Sequence, residues 1–115
     1  MYIYADHIDG QMIYQFLPKN LDEKITDRLR FIELELSDIG KGHFAPDPKR
    51  GLRLALALYK EGEPIIMIGK NEYPELDGWD ELMSARNVAF CKRAELSEES
   101  LSIAIRKIIT KNYFV

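Results

Sequence analysis

Pro64 to Arg93, PIIMIGKNEYPELDGWDELMSARNVAFCKR, reads as a strand, a helix and a second strand, and this reading decides the fold. Pro64-Ile-Ile-Met-Ile68 is a short apolar run, rich in β-branched residues and closed by Gly69. Such a run fits a strand buried on both faces. Asp77 is placed to cap a helix whose Trp79, Leu82 and Met83 follow the i, i+3, i+4 spacing, and Asn87 is placed to stop it. Val88-Ala-Phe-Cys91 is the second strand, so the unit is βαβ with parallel pairing. Ser97 opens a further helix on Leu101, Ala104, Ile105 and Ile108, with Lys107 and Lys111 near the end that favours cations.

The composition sets outer limits. A chain of 115 residues with 46% hydrophobic content is expected to form a single domain, residues 1–115, with a core that needs no disulfide or metal. The net charge of −3, with basic and acidic residues interspersed, lacks the electrostatic footprint of a nucleic-acid binder. The lone Cys91 falls inside an expected strand and reads as a core thiol. No stretch resembles a signal peptide or approaches a membrane span, so a cytoplasmic protein is expected.

At the N-terminus, Tyr2 to Ile8 and Gln11 to Leu17 flank Asp9-Gly10, a pair suited to a tight turn, and the local pattern predicts a β-hairpin. A competing pattern makes Asp9 the cap of a short helix, with Met12, Ile13, Phe16 and Leu17 as its apolar side before Pro18. Asn20 and Glu23 form a capping-box-like pair, predicting a helix to about Arg28 and then a strand from about Arg30 to Leu36. Residues 39–49, with two glycines and two prolines, predict a surface loop that ends in Asp47-Pro48 as cap and first helical position. The helix that follows runs to Gly62. Its wide apolar surface, including Leu54 and Leu58, is to be covered within the domain or by a second copy of the chain.

From about Phe31 onward this succession resembles the second half of a response-regulator receiver domain, a flavodoxin-like α/β module. The resemblance rests on Asp38, the loop to Arg50, Gly51-Leu-Arg-Leu, the run Pro64 to Ile68, Phe90-Cys-Lys92 and the helix after Ser97. It implies a single three-layer domain with a mostly parallel sheet, which the N-terminal hairpin would open. It also implies Asp38 as phosphoacceptor, Lys92 as phosphate contact, and Asp6 with Asp38 as ligands of a divalent cation such as Mg2+. The chain departs from the family pattern at Gly69, where a hydroxyl residue is usual, at Arg93, where proline is usual, and at His7, where a second acid is common. The distance from Asp6 to Asp38 is too short for the usual helix, strand and helix.

Read from the residues alone, phosphoryl acceptance needs carboxylates, a cation and a metal, and Asp6, Asp38 and Lys92 are the right types. His7 and His43 are the only histidines, and each reads as a polar surface residue or an isolated ligand. Glu33 and Glu35, with Asp22, Glu23 and Asp27, read as a solvated or partner-facing acidic surface. In an open parallel sheet the loops beyond the strands' carboxyl ends form the site. Lys70, Lys92 and Arg93 are therefore expected to gather around Asp38, with Lys70 and Arg93 as the candidates for binding a protein partner. The expected function is a receiver-like regulatory module, not an enzyme, acting through protein contacts with weak or no phosphoacceptor activity. The alternative is a small acidic binding protein of antitoxin or immunity type. A small hydrolase finds no glycine-rich phosphate cradle to support it.

Overall fold

The computed structural model describes residues 1–36 and 47–112, with side chains described as far as Ile109. Four strands, β1 (Tyr2–Tyr4), β2 (Arg30–Glu33), β3 (Ile65–Gly69) and β4 (Val88–Lys92), form one sheet in the order β1-β2-β3-β4. All three pairings are parallel, with Phe31 opposite Ile3 and Ile66, and Ile66 opposite Ala89. The helices are α1 (Gly10–Phe16), α2 (Glu23–Thr26), α3 (Pro48–Tyr59), α4 (Trp79–Ser84) and α5 (Glu98–Asn112), with a 3-10 turn at Arg93–Glu95. This is a three-layer α/β arrangement of flavodoxin-like type.

The alternation of strand side chains divides the core in two. On one face Phe31, Ile66, Ile68 and Ala89 pack with Ile13 of α1 and with Leu101, Ile105 and Ile108 of α5, and Leu21 and Ile25 join them. On the other face Ile32, Ile65, Met67 and Val88 pack with Leu52 and Ala55 of α3 and with Trp79 and Leu82 of α4. Because both faces are covered, the central strand β3 is apolar throughout and fully buried, as the run Pro64 to Ile68 predicts. Leu54 and Leu58 are partly buried against the second core.

The hairpin is not formed. Residues Gly10–Phe16 are helical, because the Asp9 carboxylate accepts from Gln11 N at 3.0 Å and the Asp9 carbonyl from Met12 N at 3.0 Å. The helix puts Ile13 wholly inside and leaves Met12 and Tyr14 exposed, while Tyr2–Tyr4 pairs in parallel with β2 instead. The Asp9 cap and the Ile13, Phe16, Leu17 side therefore win over the Asp-Gly turn. Two other expected caps move. Asp22, not Asn20, caps α2 by accepting from Lys24 N at 2.9 Å, and α4 starts behind Gly78 in a left-handed conformation (φ 95°), not behind Asp77. Ser84 ends α4 before Asn87, whose Nδ2 donates to the Tyr59 carbonyl at 2.9 Å and the Glu63 carbonyl at 2.8 Å. Asp47 does cap α3, accepting from Lys49 N at 3.0 Å with Pro48 in the first turn.

Gly51 lets α3 lie against β2. A Cβ there would fall on the Glu33 carbonyl oxygen and on Leu34 Cα, and Gly51 N donates to the Leu34 carbonyl at 3.0 Å. This contact holds the start of α3 against the chain leaving β2.

Candidate functional site

Parallel pairing brings the carboxyl ends of all four strands to one end of the sheet. Chain leaving β1 passes to the face of α1 and α5, whereas α3, which follows β2 in sequence, lies on the opposite face. Between β1 and β2 the layers therefore part, the position at which open α/β sheets form a crevice. His7 and Glu33 sit at this switch point.

Glu33 is 1% exposed, on the same side of the sheet as Phe31. Isolated, a carboxylate so placed would be costly; here donors surround it. Its Oε2 accepts from the backbone N–H groups of Asp6 at 2.7 Å and His7 at 2.9 Å. Its Oε1 meets His7 Nδ1 at 3.0 Å and accepts from Arg93 Nη1 at 3.0 Å. One side chain at the end of β2 thus ties the turn after β1 to the turn after β4. An ionised carboxylate only accepts, so the Glu33–His7 contact requires the proton on Nδ1.

Glu35, two residues on, is 4% exposed. Its Oε1 accepts from Lys70 N at 2.8 Å, which fastens the turn after β3 to the same end. Its Oε2 is buried without a partner of full hydrogen-bond geometry. The Tyr73 hydroxyl feels this carboxylate: burial, and then its interaction with Glu35, push it up to about 12. Glu33 and Glu35 are therefore not part of a solvated acidic surface. They are interior anchors of the turns.

Of the residues expected at the site, Asp6 lends its backbone N–H to Glu33 and exposes its side chain. Lys70 contributes its backbone N–H and is likewise exposed. Lys92, partly buried, closes β4 opposite Gly69. It is Arg93 that reaches Glu33. Asp38 and His43 lie outside the described residues. Among the described residues no group of three or more histidine, cysteine or acidic side chains is arranged to hold a metal ion. Glu33, the buried carboxylate at the end of β2, directs its oxygens at N–H donors and does not suit Mg2+.

Sequence reasoning missed Glu33 and Glu35 as site residues, although a signal was present. In Phe31-Ile-Glu-Leu-Glu-Leu36 the acids interrupt a run that belongs to the interior of a two-sided sheet, where an acid needs dedicated donors. Cys91 is buried, and burial pushes its thiol up, which makes it less reactive. A concavity of about 540 Å³ runs along the outer edge of β4, lined by Met83, Phe90, Cys91, Ile103 and Ala104 among others. Among the described residues no helix is long and apolar enough to cross a membrane. No protein-family model, curated protein or solved structure matches the chain.

Proposed function

We propose that this chain is a receiver-like regulatory module that acts through protein contacts, with weak or no phosphoacceptor activity at an aspartate. The observation that carries the reading is the bonding of Glu33: four donors from the ends of two other strands converge on one buried carboxylate. A carboxylate so surrounded is an electrostatic fixture and a poor nucleophile, because attack would strip it of those bonds. The negative charge at the end of the second strand and the cation after the last are already joined. A module of this kind holds one arrangement of its carboxyl-end turns and presents Lys70, Lys92 and the Arg93 turn to a partner without needing phosphorylation to do so.

The test has two parts. Incubation with magnesium and acetyl phosphate, followed by intact-mass measurement, should leave no acyl-phosphate adduct, and the Asp38→Asn variant should behave identically. A stoichiometric, hydroxylamine-sensitive adduct that Asp38→Asn abolishes overturns the reading. Partner capture from the source cells should then weaken in Lys70→Ala and Lys92→Ala at unchanged melting temperature. Recovery of a basic nuclease that the chain inhibits would favour the antitoxin-type alternative instead.

A further inference from the structure

His7 carries chemistry that this reading does not use. Its imidazole is anchored twice: the backbone N–H is held by Glu33 Oε2 at 2.9 Å and the ring Nδ1 by Glu33 Oε1 at 3.0 Å. The residue that anchors it is itself fixed, being 1% exposed and bonded to Arg93. Beside an ionised Glu33 the ring donates from Nδ1, and in its neutral form it then keeps the Nε2 lone pair on the side away from the carboxylate. The His7 side chain is 39% exposed, while Glu33 is wholly covered, so the reachable part of the imidazole is the part away from the carboxylate. Arg93 Nη1 and His7 Nδ1 lie at the same distance from the same oxygen, 3.0 Å, so the guanidinium and the ring are held by one carboxylate oxygen. A guanidinium has five N–H donors, and the bond to Glu33 leaves others to meet anionic oxygens. The exposed Lys70 is at the same end of the sheet.

We propose that His7 is a phosphoryl-accepting residue, modified at Nε2 by a donor of the phosphoramidate class, with Glu33 as its positioning residue and Arg93 as the cation for the phosphoryl oxygens. In the step, the Nε2 lone pair attacks phosphorus, an N–P bond forms, and the P–N bond of the donor breaks, releasing ammonia that carries its proton away. The Nδ1 proton stays on the ring. The positive charge that develops on the imidazole during attack is stabilised by the buried carboxylate, the role that an oriented acid plays for a histidine nucleophile. The product is a phosphohistidine at the crevice between β1 and β2, which would place a new dianion next to Arg93 and compete with Glu33 for it. This inference rests on the Glu33–His7 geometry and does not depend on the receiver-like reading.

The experiment uses the full chain and potassium phosphoramidate, with intact-mass measurement over time. One phosphoryl group should add to the folded protein faster than to the urea-unfolded chain, and the adduct should be acid-labile and hydroxylamine-resistant, unlike an aspartyl phosphate. His7→Ala should abolish it, whereas His43→Ala and Asp38→Asn should retain it. Glu33→Gln should slow it about tenfold if the acid orients and activates the ring. Since Glu33→Gln disturbs a buried network, Arg93→Lys, which keeps the charge, provides the second variant and should slow modification less than Arg93→Ala. An unmodified folded protein, equal rates in folded and unfolded chain, or an adduct that survives His7→Ala overturns the proposal. Loss of the adduct in Asp38→Asn, with hydroxylamine sensitivity in place of acid lability, places the acceptor at the aspartate and overturns the proposal for His7.

Discussion

Arg93 Nη1 lies 3.0 Å from Glu33 Oε1 and so joins the end of β4 to the end of β2 across the intervening β3. Arg93 is about one third exposed, whereas Glu33 has no exposed side-chain surface. Truncation of the arginine leaves a buried charge with fewer partners. Arg93→Ala should therefore cost about 3 kcal/mol in urea unfolding, at the lower end for a broken buried pair because the guanidinium retains solvent. A change near zero would show that the backbone donors of Asp6 and His7 suffice alone.

Gly51 sets how closely α3 approaches β2. Gly51→Ala places a methyl group on the Glu33 carbonyl and the Leu34 backbone, neither of which is a flexible side-chain end. The expected loss is about 1–3 kcal/mol, despite the better helix propensity of alanine. Thermal unfolding of the variant against wild type checks it.

Tyr73 should make stability depend on pH in the alkaline range. Its hydroxyl has an ordinary value of 10.0 and is pushed up to about 12 in the folded chain, first by burial and then by Glu35. Between these values the unfolded chain releases a proton that the folded chain retains, so stability falls as pH rises through this window and levels off above it. Tyr73→Phe should remove that share of the decline. Parallel slopes for the two proteins between pH 10 and 12 would contradict this.

The Asp47 cap can be tested with little disturbance elsewhere. Its carboxylate accepts from Lys49 N at 3.0 Å, and Asp47→Ala should cost about 1 kcal/mol, with Asp47→Asn retaining most of the stability. Chemical unfolding of the three proteins measures it.

Much of this architecture is legible in the chain. The run Pro64 to Ile68 is too short for a helix and β-branched enough for a doubly covered strand, and Asp47-Pro48 marks the start of α3 from residues alone. The N-terminus misled because Asp9-Gly10 satisfies two local rules at once. The choice between turn and cap is made by Tyr2–Tyr4 pairing with β2, in which Tyr2 lies opposite Arg30 and Tyr4 opposite Ile32, a pairing no local pattern contains. The sequence pointed to the turns beyond the carboxyl ends of the strands, where Lys70 is held through its backbone by Glu35 and Arg93 through its side chain by Glu33. The chemistry there was not legible. Alternation made Glu33 and Glu35 read as a wet face, and only the second layer of helices shows that the strand has none.

The three connections between strands all advance in one direction across the sheet, yet the first passes over the face of α5 and the other two over the face of α3 and α4. Crossovers that progress the same way over opposite faces have opposite hand. At least one of them must then run against the right-handed preference that strand twist imposes, and the first stands alone in its sense. β1 is also a three-residue strand with, among the described residues, only one neighbour. Handedness and hydrogen bonding thus give it little purchase, and the carboxylate of Glu33, gripping Asp6 and His7 just past its end, acts as the clasp that keeps a reluctant edge strand in register.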